Sequence, residues 1–461
     1  MAQAKKTDQA NSAQRGSRMS RRDFHKLGSS AALGAAALGA FSTGRVLGAN
    51  ERIRVAFVGV ANRGRQLIDQ FSKSPDMEIA AFCDVDSAVL EQAWEKAEKK
   101  PDKVKDFRDL LGRADIDAVV LATPDHWHAW QTVEACKAGK DVYVEKPLST
   151  TVREGRMMVE AARKYNRIVQ VGTHRRSGPL YRQVAEAGVE EKIGKVTVAR
   201  CWHKGNMYPK GIGHAKPASA PENLDWDLWL GPRNQEYQEN IAPYKFRWWL
   251  DYSSQIANNG VHFIDMIRYL WGETAPASVC AMGGVFAVDD DRTIPDTMSV
   301  CYQFASGRLL LFDHFEANGN PLMATDADYK ELGFFELRGT LGTMYLYDQR
   351  CLIKTEKPGQ FQEKGPRAPE ETIFTGDLAN GNLDITALHA QNFFDCIRSR
   401  QRPNADVEEG HRSTLMSLIA NISLAVGRRL EWDAEKEEFI GDEEANKLLS
   451  YEYRAPWKLE L

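Results

Sequence analysis

The sequence predicts an α/β protein in which a doubly wound parallel sheet precedes a second α/β domain built on antiparallel strands. Three observations carry this. Short, wholly apolar runs recur between residues 53 and 172, each closing on a polar cluster and followed by helical spacing, as strands buried on both faces do. The first run enters a glycine turn. Beyond residue 173 the apolar runs instead pair across tight turns such as Ser306-Gly307, the mark of hairpins. The expected division is a signal region over 1–49, a dinucleotide-binding domain over 50–172 and a substrate-binding and oligomerisation domain over 173–461.

Residues 1–18 are polar and basic. Ser20-Arg21-Arg22-Asp23-Phe24-His25-Lys26 follows, then an apolar run from Leu27 to Phe41 rich in Ala and Gly. A charged segment, a short apolar stretch and small residues make an export signal, and the paired arginines match the twin-arginine type. The run is too short for a stable membrane span. Cleavage is expected after Ala49 or Ala40, and Met19 could serve as the start. The destination is therefore periplasmic or otherwise exported, through the twin-arginine machinery. A retained N-terminal amphipathic helix would need a 3.6 period that this run lacks.

With 60 Lys and Arg against 64 Asp and Glu, the net charge is −4 over 461 residues, which gives no argument for nucleic acid or an anionic membrane as partner. The seven cysteines are widely spaced and include no C-x-x-C. In an oxidising compartment such thiols are expected to be buried or too far apart to pair. No metal-ligand spacing of the H-E-x-x-H kind occurs, so no metal is expected.

Ile53 to Val58 reads as a buried strand running into Gly59-Val60-Ala61-Asn62-Arg63-Gly64, and Arg65 to Phe71 has helical spacing. Strand, glycine turn and helix in that order cradle a pyrophosphate on free N–H groups at the positive end of the helix dipole. Gly59 permits the tight turn, Gly64 permits close helix–strand packing, and Ala61 replaces the glycine of the strict motif. The strand Glu78 to Cys83 ends in Asp84, twenty-five positions after Gly59. A carboxylate there accepts the adenosine ribose hydroxyls and repels a 2′-phosphate, favouring NAD over NADP. Capping of the next helix by Asp84 is the bland alternative, although Asp86 could fill that position.

Asp117 to Ala122 ends in Thr123-Pro124-Asp125-His126-Trp127-His128, and Asp141 to Val144 ends in Glu145-Lys146-Pro147. Ligands of open α/β sheets bind beyond the carboxyl ends of the strands. Thr123, Pro124, His126, His128, Glu145 and Lys146 thereby join the glycine turn and Asp84 as candidate cofactor contacts. Ile168 to Gly172 closes the sheet.

These motifs, with the later Gly260-Val261-His262-Phe263-Ile264-Asp265, resemble the Gfo/Idh/MocA oxidoreductases (glucose–fructose oxidoreductase, inositol dehydrogenase and relatives) over nearly all of the chain after the signal. The resemblance implies an N-terminal Rossmann domain and a C-terminal α/β domain with a large, open, mainly antiparallel sheet that commonly forms a homo-oligomeric interface. It implies that Lys146 contacts substrate and nicotinamide ribose and that His262 is the catalytic histidine. The family's acid, four residues before that histidine, is replaced here by Asn258.

In the second half, Lys195 to Trp202, Thr297 to Phe304, Arg308 to Phe315, Phe334 to Arg338 and Gly342 to Tyr347 alternate as strands, while Asp384 to Arg398 and Glu409 to Arg428 read as amphipathic helices. The irregular span from Gly205 to Phe246, with Trp226, Trp229, Tyr237 and Tyr244, could wall the site. Gly260 to Leu270 reads as a helix that sets His262 and Asp265 on one face. His174, Arg175, Asn258 and Asp265 are the candidate substrate contacts. His203 reads better as a core histidine, and His214 and His314 carry no assignment.

The chemistry expected is hydride transfer between NAD and a secondary hydroxyl of a sugar or polyol. His262 would take the hydroxyl proton and Lys146 would stabilise the oxygen. Free NAD is scarce outside the cytoplasm, so tight cofactor retention is expected. Two alternatives stand beside this. One is an NAD-dependent redox glycoside hydrolase or lyase of the N-acetylgalactosaminidase kind, cleaving without net redox change. The other is a non-catalytic sugar-binding protein, a reading kept open by Asn258.

Overall fold

The computed structural model describes residues 52–319, 335–347, 350–356, 359, 371–374 and 384–461. The expected export signal lies outside them, as does the Phe334 end of one expected strand.

Six strands form the first sheet: β1 (Ile53–Val58), β2 (Met77–Cys83), β3 (Asp102–Val104), β4 (Ala118–Leu121), β5 (Asp141–Val144) and β6 (Val169–Val171). They are parallel throughout, in the order β3-β2-β1-β4-β5-β6. The order reverses between β1 and β4, where a crevice opens at the carboxyl ends. Burial on both faces explains the unbroken apolar runs: Ala118–Leu121 and Val142–Val144 are inaccessible to solvent or nearly so. Thr151 opens the crossover helix Val152–Lys164 with a capping box, its hydroxyl accepting from Glu154 N while Glu154 reaches back.

The second sheet has ten strands: β7 (Val196–Lys204), β8 (Ser278–Gly284), β9 (Thr297–Gln303), β10 (Leu309–Phe315), β11 (Phe335–Gly339), β12 (Gly342–Leu346), β13 (Arg350–Thr355), β14 (Glu371–Phe374), β15 (Leu430–Asp433) and β16 (Glu438–Phe439). Their order is β14-β13-β12-β11-β7-β10-β9-β8-β15-β16, and among the described residues only β7 and β10 pair in parallel. The sheet is thus mixed and mostly antiparallel. One face packs its alternate residues, among them Ala199, Cys201, Leu310 and Phe312, against the helices Val261–Trp271 and Val407–Val426.

Two features were not anticipated. The helix Ile385–Ser399 belongs to the first sheet: Phe393 and Phe394 join Phe57, Phe71 and Tyr143 in one buried aromatic cluster. Cys280 and Cys301 stand directly opposite each other on β8 and β9, both half-buried. The expectation that the thiols are too far apart to pair is therefore corrected for these two, because an antiparallel ladder brings residues distant in sequence face to face.

Candidate active site

Gly59 has φ +79°, and a side chain there would press to 2.7 Å from the Ala122 carbonyl oxygen. A Cβ on Gly64 would fall 1.8 Å from the Gly59 carbonyl oxygen. Both glycines are thus demanded by the close approach of turn, helix and β4. The helix begins at Asn62, earlier than periodicity suggested, with Ala61 at its cap position making no side-chain hydrogen bond and no acidic residue in the first turn. Its free N–H groups and positive end suit a pyrophosphate.

Asp84 secures this turn from β2. Its carboxylate accepts from Val60 N at 2.9 Å and from Asp86 N at 3.0 Å. Burial pushes its pKa up to about 6, against the lowering effect of those hydrogen bonds. The helix-capping duty falls to Asp86, which accepts from Ala88 N and Val89 N. A cleft opens over these residues, with Ala61, Asn62, Thr123 and Pro124 on its floor and Trp229, Phe246 and Arg247 on its wall. The irregular span after Gly205 thus lines the cleft. A glycine cradle, an uncapped helix end and an acid lining the cleft fit a dinucleotide.

The motif from Thr123 to His128 divides its labour. His126 is buried, its Nε2 2.9 Å from the Trp229 carbonyl oxygen, among the rings of Trp127, Trp229 and Tyr252. Burial drives its pKa down to about 3, so it is neutral. His128 places Nδ1 2.8 Å from the Pro147 oxygen and Nε2 2.9 Å from the Thr123 oxygen. Asp125 accepts a hydrogen bond from the Ser253 hydroxyl. Expected as cofactor contacts, His126 and His128 instead spend their rings pinning the wall and the neighbouring strand end in place. Trp127, which sequence reasoning passed over, lines the cleft.

At the end of β5, buried Glu145 receives Arg63 Nε at 2.8 Å and Lys146 N at 3.2 Å. Burial would raise its pKa, but Arg63 and Lys146 hold it below the ordinary range. A Cβ on Gly172 would meet this carboxylate at 2.9 Å, which accounts for glycine at the end of β6. Arg63 therefore couples the glycine turn to the Glu145-Lys146 strand end. Lys146 Nζ donates to the Asn258 carbonyl oxygen at 2.7 Å and to its Oδ1 at 2.9 Å. Burial lowers its pKa to about 8, only partly offset by Glu145 and Asp125. An ammonium has three donors; two are used here.

Asn258 sits in a π-turn, Ile256–Gly260, that leads into the helix Val261–Trp271. Such turns interrupt the helical ladder and occur often at functional sites. One turn on, His262 carries an Nδ1 with no partner among the described residues, and its ring stands 5.6 Å from that of His174, whose Nδ1 likewise has none among them. Burial, then the Lys146 charge, drive the His262 pKa well below 6.5, which favours the neutral imidazole. Burial does the same to His174. Arg175 lies over the Phe263 ring at 5.8 Å.

Asp265 departs from expectation. It is inaccessible, bound to Arg176 Nε at 2.9–3.0 Å and to the Ser413 hydroxyl at 2.7 Å. With its carboxylate enclosed in the core, it is corrected from substrate contact to structural ion pair. Helical spacing puts His262 and Asp265 three apart, but the carboxylate is drawn to Arg176. No local signal marks that partner.

Two family models cover most of the chain. One, an oxidoreductase family with an NAD-binding Rossmann fold, matches residues 53–173, and its companion, the C-terminal alpha/beta domain of that family, matches 181–321 and 380–459. Over 122 residues the chain is 37% identical to a glycosyl hydrolase family 109 protein of Shewanella sp. strain ANA-3 and 35% identical to an alpha-N-acetylgalactosaminidase of Shewanella oneidensis. Each match spans 25% of this chain and 27% of the relative. Among solved structures, the WlbA dehydrogenase of Bordetella pertussis in complex with NADH and UDP-GlcNAcA aligns over 83% of this chain and 99% of its own, with TM-score 0.61 and 19% identity. A levoglucosan dehydrogenase complex with NADH and levoglucosan aligns over the same shares, with TM-score 0.61 and 18% identity. The chain belongs to the Gfo/Idh/MocA oxidoreductase family, with its NAD-binding Rossmann fold followed by the family's α/β domain.

Proposed function

We propose that the protein is an NAD-dependent oxidoreductase acting on a secondary hydroxyl of a sugar or polyol. The observation that carries this is the half-buried Lys146 ammonium, held by two Asn258 oxygens and followed one helical turn on by His262, whose Nδ1 has no partner among the described residues. The turn Gly59 to Gly64 and Asp84 would hold the dinucleotide, which when bound supplies or accepts a hydride. His262 takes the proton of the substrate hydroxyl on a ring nitrogen. Lys146, with one N–H uncommitted, donates to that oxygen as negative charge develops. The wall from Trp229 to Arg247 excludes water. Native mass spectrometry of the purified protein tests the reading: co-purifying NAD or NADH is expected, and a chain that neither carries nor binds dinucleotide overturns it.

The glycosidase relatives, at 35–38% identity over about 120 residues, favour a second reading, glycoside cleavage without net redox change. Released aglycone without net NADH decides for it. We further infer export by the twin-arginine route, supported by Arg21-Arg22 and the apolar run behind them. Pairing of copies through the open sheet face is supported by Met282 and Phe286, 74% and 72% exposed in and just beyond β8.

A further inference from the structure

Outside these residues, two histidines and a glutamate meet on the large sheet. His203 on β7 and His314 on β10 are register partners in the parallel pair. His314 shares the face of Leu310 and Phe312, which is buried against the helices, and Glu316 follows directly beyond β10. One ring nitrogen of each histidine and a carboxylate oxygen of Glu316 all lie within 4.8 Å of one another.

His314 is 1% exposed, and its Nε2 has no hydrogen-bond partner among the described residues; Glu316 Oε1 stands 3.8 Å away, beyond bonding reach. Burying a ring nitrogen without a partner is costly. The carboxylate, by contrast, is firmly oriented. Oε2 accepts from Arg292 Nη1 at 2.5 Å and from Trp248 Nε1 at 2.9 Å, and Arg292 is itself neutralised by Asp290 at 2.8 Å. Oε1, with only Trp248 Nε1 at 3.1 Å, keeps a lone pair toward the histidines. The His203 ring is half-buried, 5.5 Å from the His314 ring, leaving one side open.

We propose that His203, His314 and Glu316 bind one first-row divalent cation, of the zinc type, with a coordination position left for an oxygen ligand. Two imidazoles and a carboxylate are a ligand set that zinc takes with a fourth position open. Zinc ligands stand about 2.0–2.2 Å from the ion, so the three side chains close in slightly on binding, a movement that half-buried His203 is free to make. Arg292 and Trp248 act as the outer shell that aims the carboxylate. The expectation of no metal rested on local spacing; these ligands come from two strands far apart in sequence. A Cβ on Gly260 would meet the Phe312 ring at 2.8 Å, so the cluster sits on the same face of the sheet as the π-turn carrying Asn258.

The test is equilibrium dialysis of the untagged, chelator-stripped protein against zinc chloride alone, repeated with cobalt(II) to read the ligand-field absorption of a four- or five-coordinate site. One zinc per chain is expected, weakened about 100-fold or more in His203→Ala and in His314→Gln. Should His314→Gln fail to fold, His203→Ala decides, with its far-UV spectrum and melting temperature compared with the parent. Absence of stoichiometric zinc, or binding unchanged by His203→Ala, overturns the proposal. Dinucleotide content is measured separately, so that retained NAD without zinc refutes the metal and leaves the redox reading standing.

Discussion

Lys146 Nζ donates to both oxygens of Asn258, one on the backbone and one on the side chain, at 2.7 and 2.9 Å. A neutral amide therefore stands where the family carries an acid, and the lysine pKa falls to about 8 because burial is answered only by the more distant charges of Glu145 and Asp125. If the ammonium is the working form, turnover is full below about pH 8 and declines as pH rises through it. Asn258→Asp puts a negative charge against the ammonium and should carry that basic limb upward by about one unit or more. A pH–kcat profile whose basic limb does not move would dissociate Asn258 from the titration.

Truncating Lys146 to Ala should lower kcat at least about 10²-fold while leaving secondary structure intact. His262→Asn should cost roughly 10²–10⁴-fold in kcat with bound dinucleotide retained. Near-normal turnover in either variant would remove that residue from the mechanism.

Burial pushes the Asp84 carboxyl up to about 6. Ribose hydroxyls donate more strongly to the carboxylate, which accepts on both oxygens, than to the protonated carboxyl, so the carboxylate is the tighter-binding form. NAD affinity is then at its maximum above about pH 6 and weakens as pH falls through it, by tenfold per unit at the limit. Asp84→Ala should weaken NAD by roughly 1–3 kcal/mol, and Asp84→Asn should flatten the pH dependence. Calorimetric titration at pH 5 and pH 8 measures both; equal affinities in the parent protein would refute the ribose contact.

Asp265 and Arg176 form an ion pair whose acid is wholly inaccessible. Removing one partner of such a pair typically costs about 3–5 kcal/mol. Asp265→Ala should accordingly lower the denaturant midpoint while the folded fraction keeps its KM. A raised KM at unchanged stability would return Asp265 to the substrate site.

Replacing Arg21 and Arg22 with lysine should hold the protein in the cytoplasm. Immunoblotting of periplasmic and cytoplasmic fractions reads the outcome, and continued export would point to another route.

The parallel sheet was legible because burial on both faces writes itself as uninterrupted apolar runs, and Ile53–Val58 with its glycine turn is nearly diagnostic. Hairpins such as β9–β10 were legible from their turns. What escaped was everything set by pairing at a distance. Nothing near His126 signals that its ring meets the Trp229 carbonyl, nothing near Asp265 points to Arg176, and the parallel contact of β7 with β10 leaves no local trace. Amphipathic spacing also names no partner, which is how Asp384 to Arg398, read as a helix within the second domain, turns out to set its phenylalanines against the first sheet.

A single backbone oxygen, that of Trp229, receives both the His126 ring and the indole N–H of Trp127. Swinging this side of the cleft outward would break both contacts at once and strand two buried donors, so the wall resists opening on its own. A dinucleotide seated behind it would be expected to leave slowly, its occupancy governed by the rate of escape more than by the supply outside. Were the protein exported as proposed, to a compartment where nicotinamide coenzymes are dilute, that one carbonyl holding two donors would act as a latch.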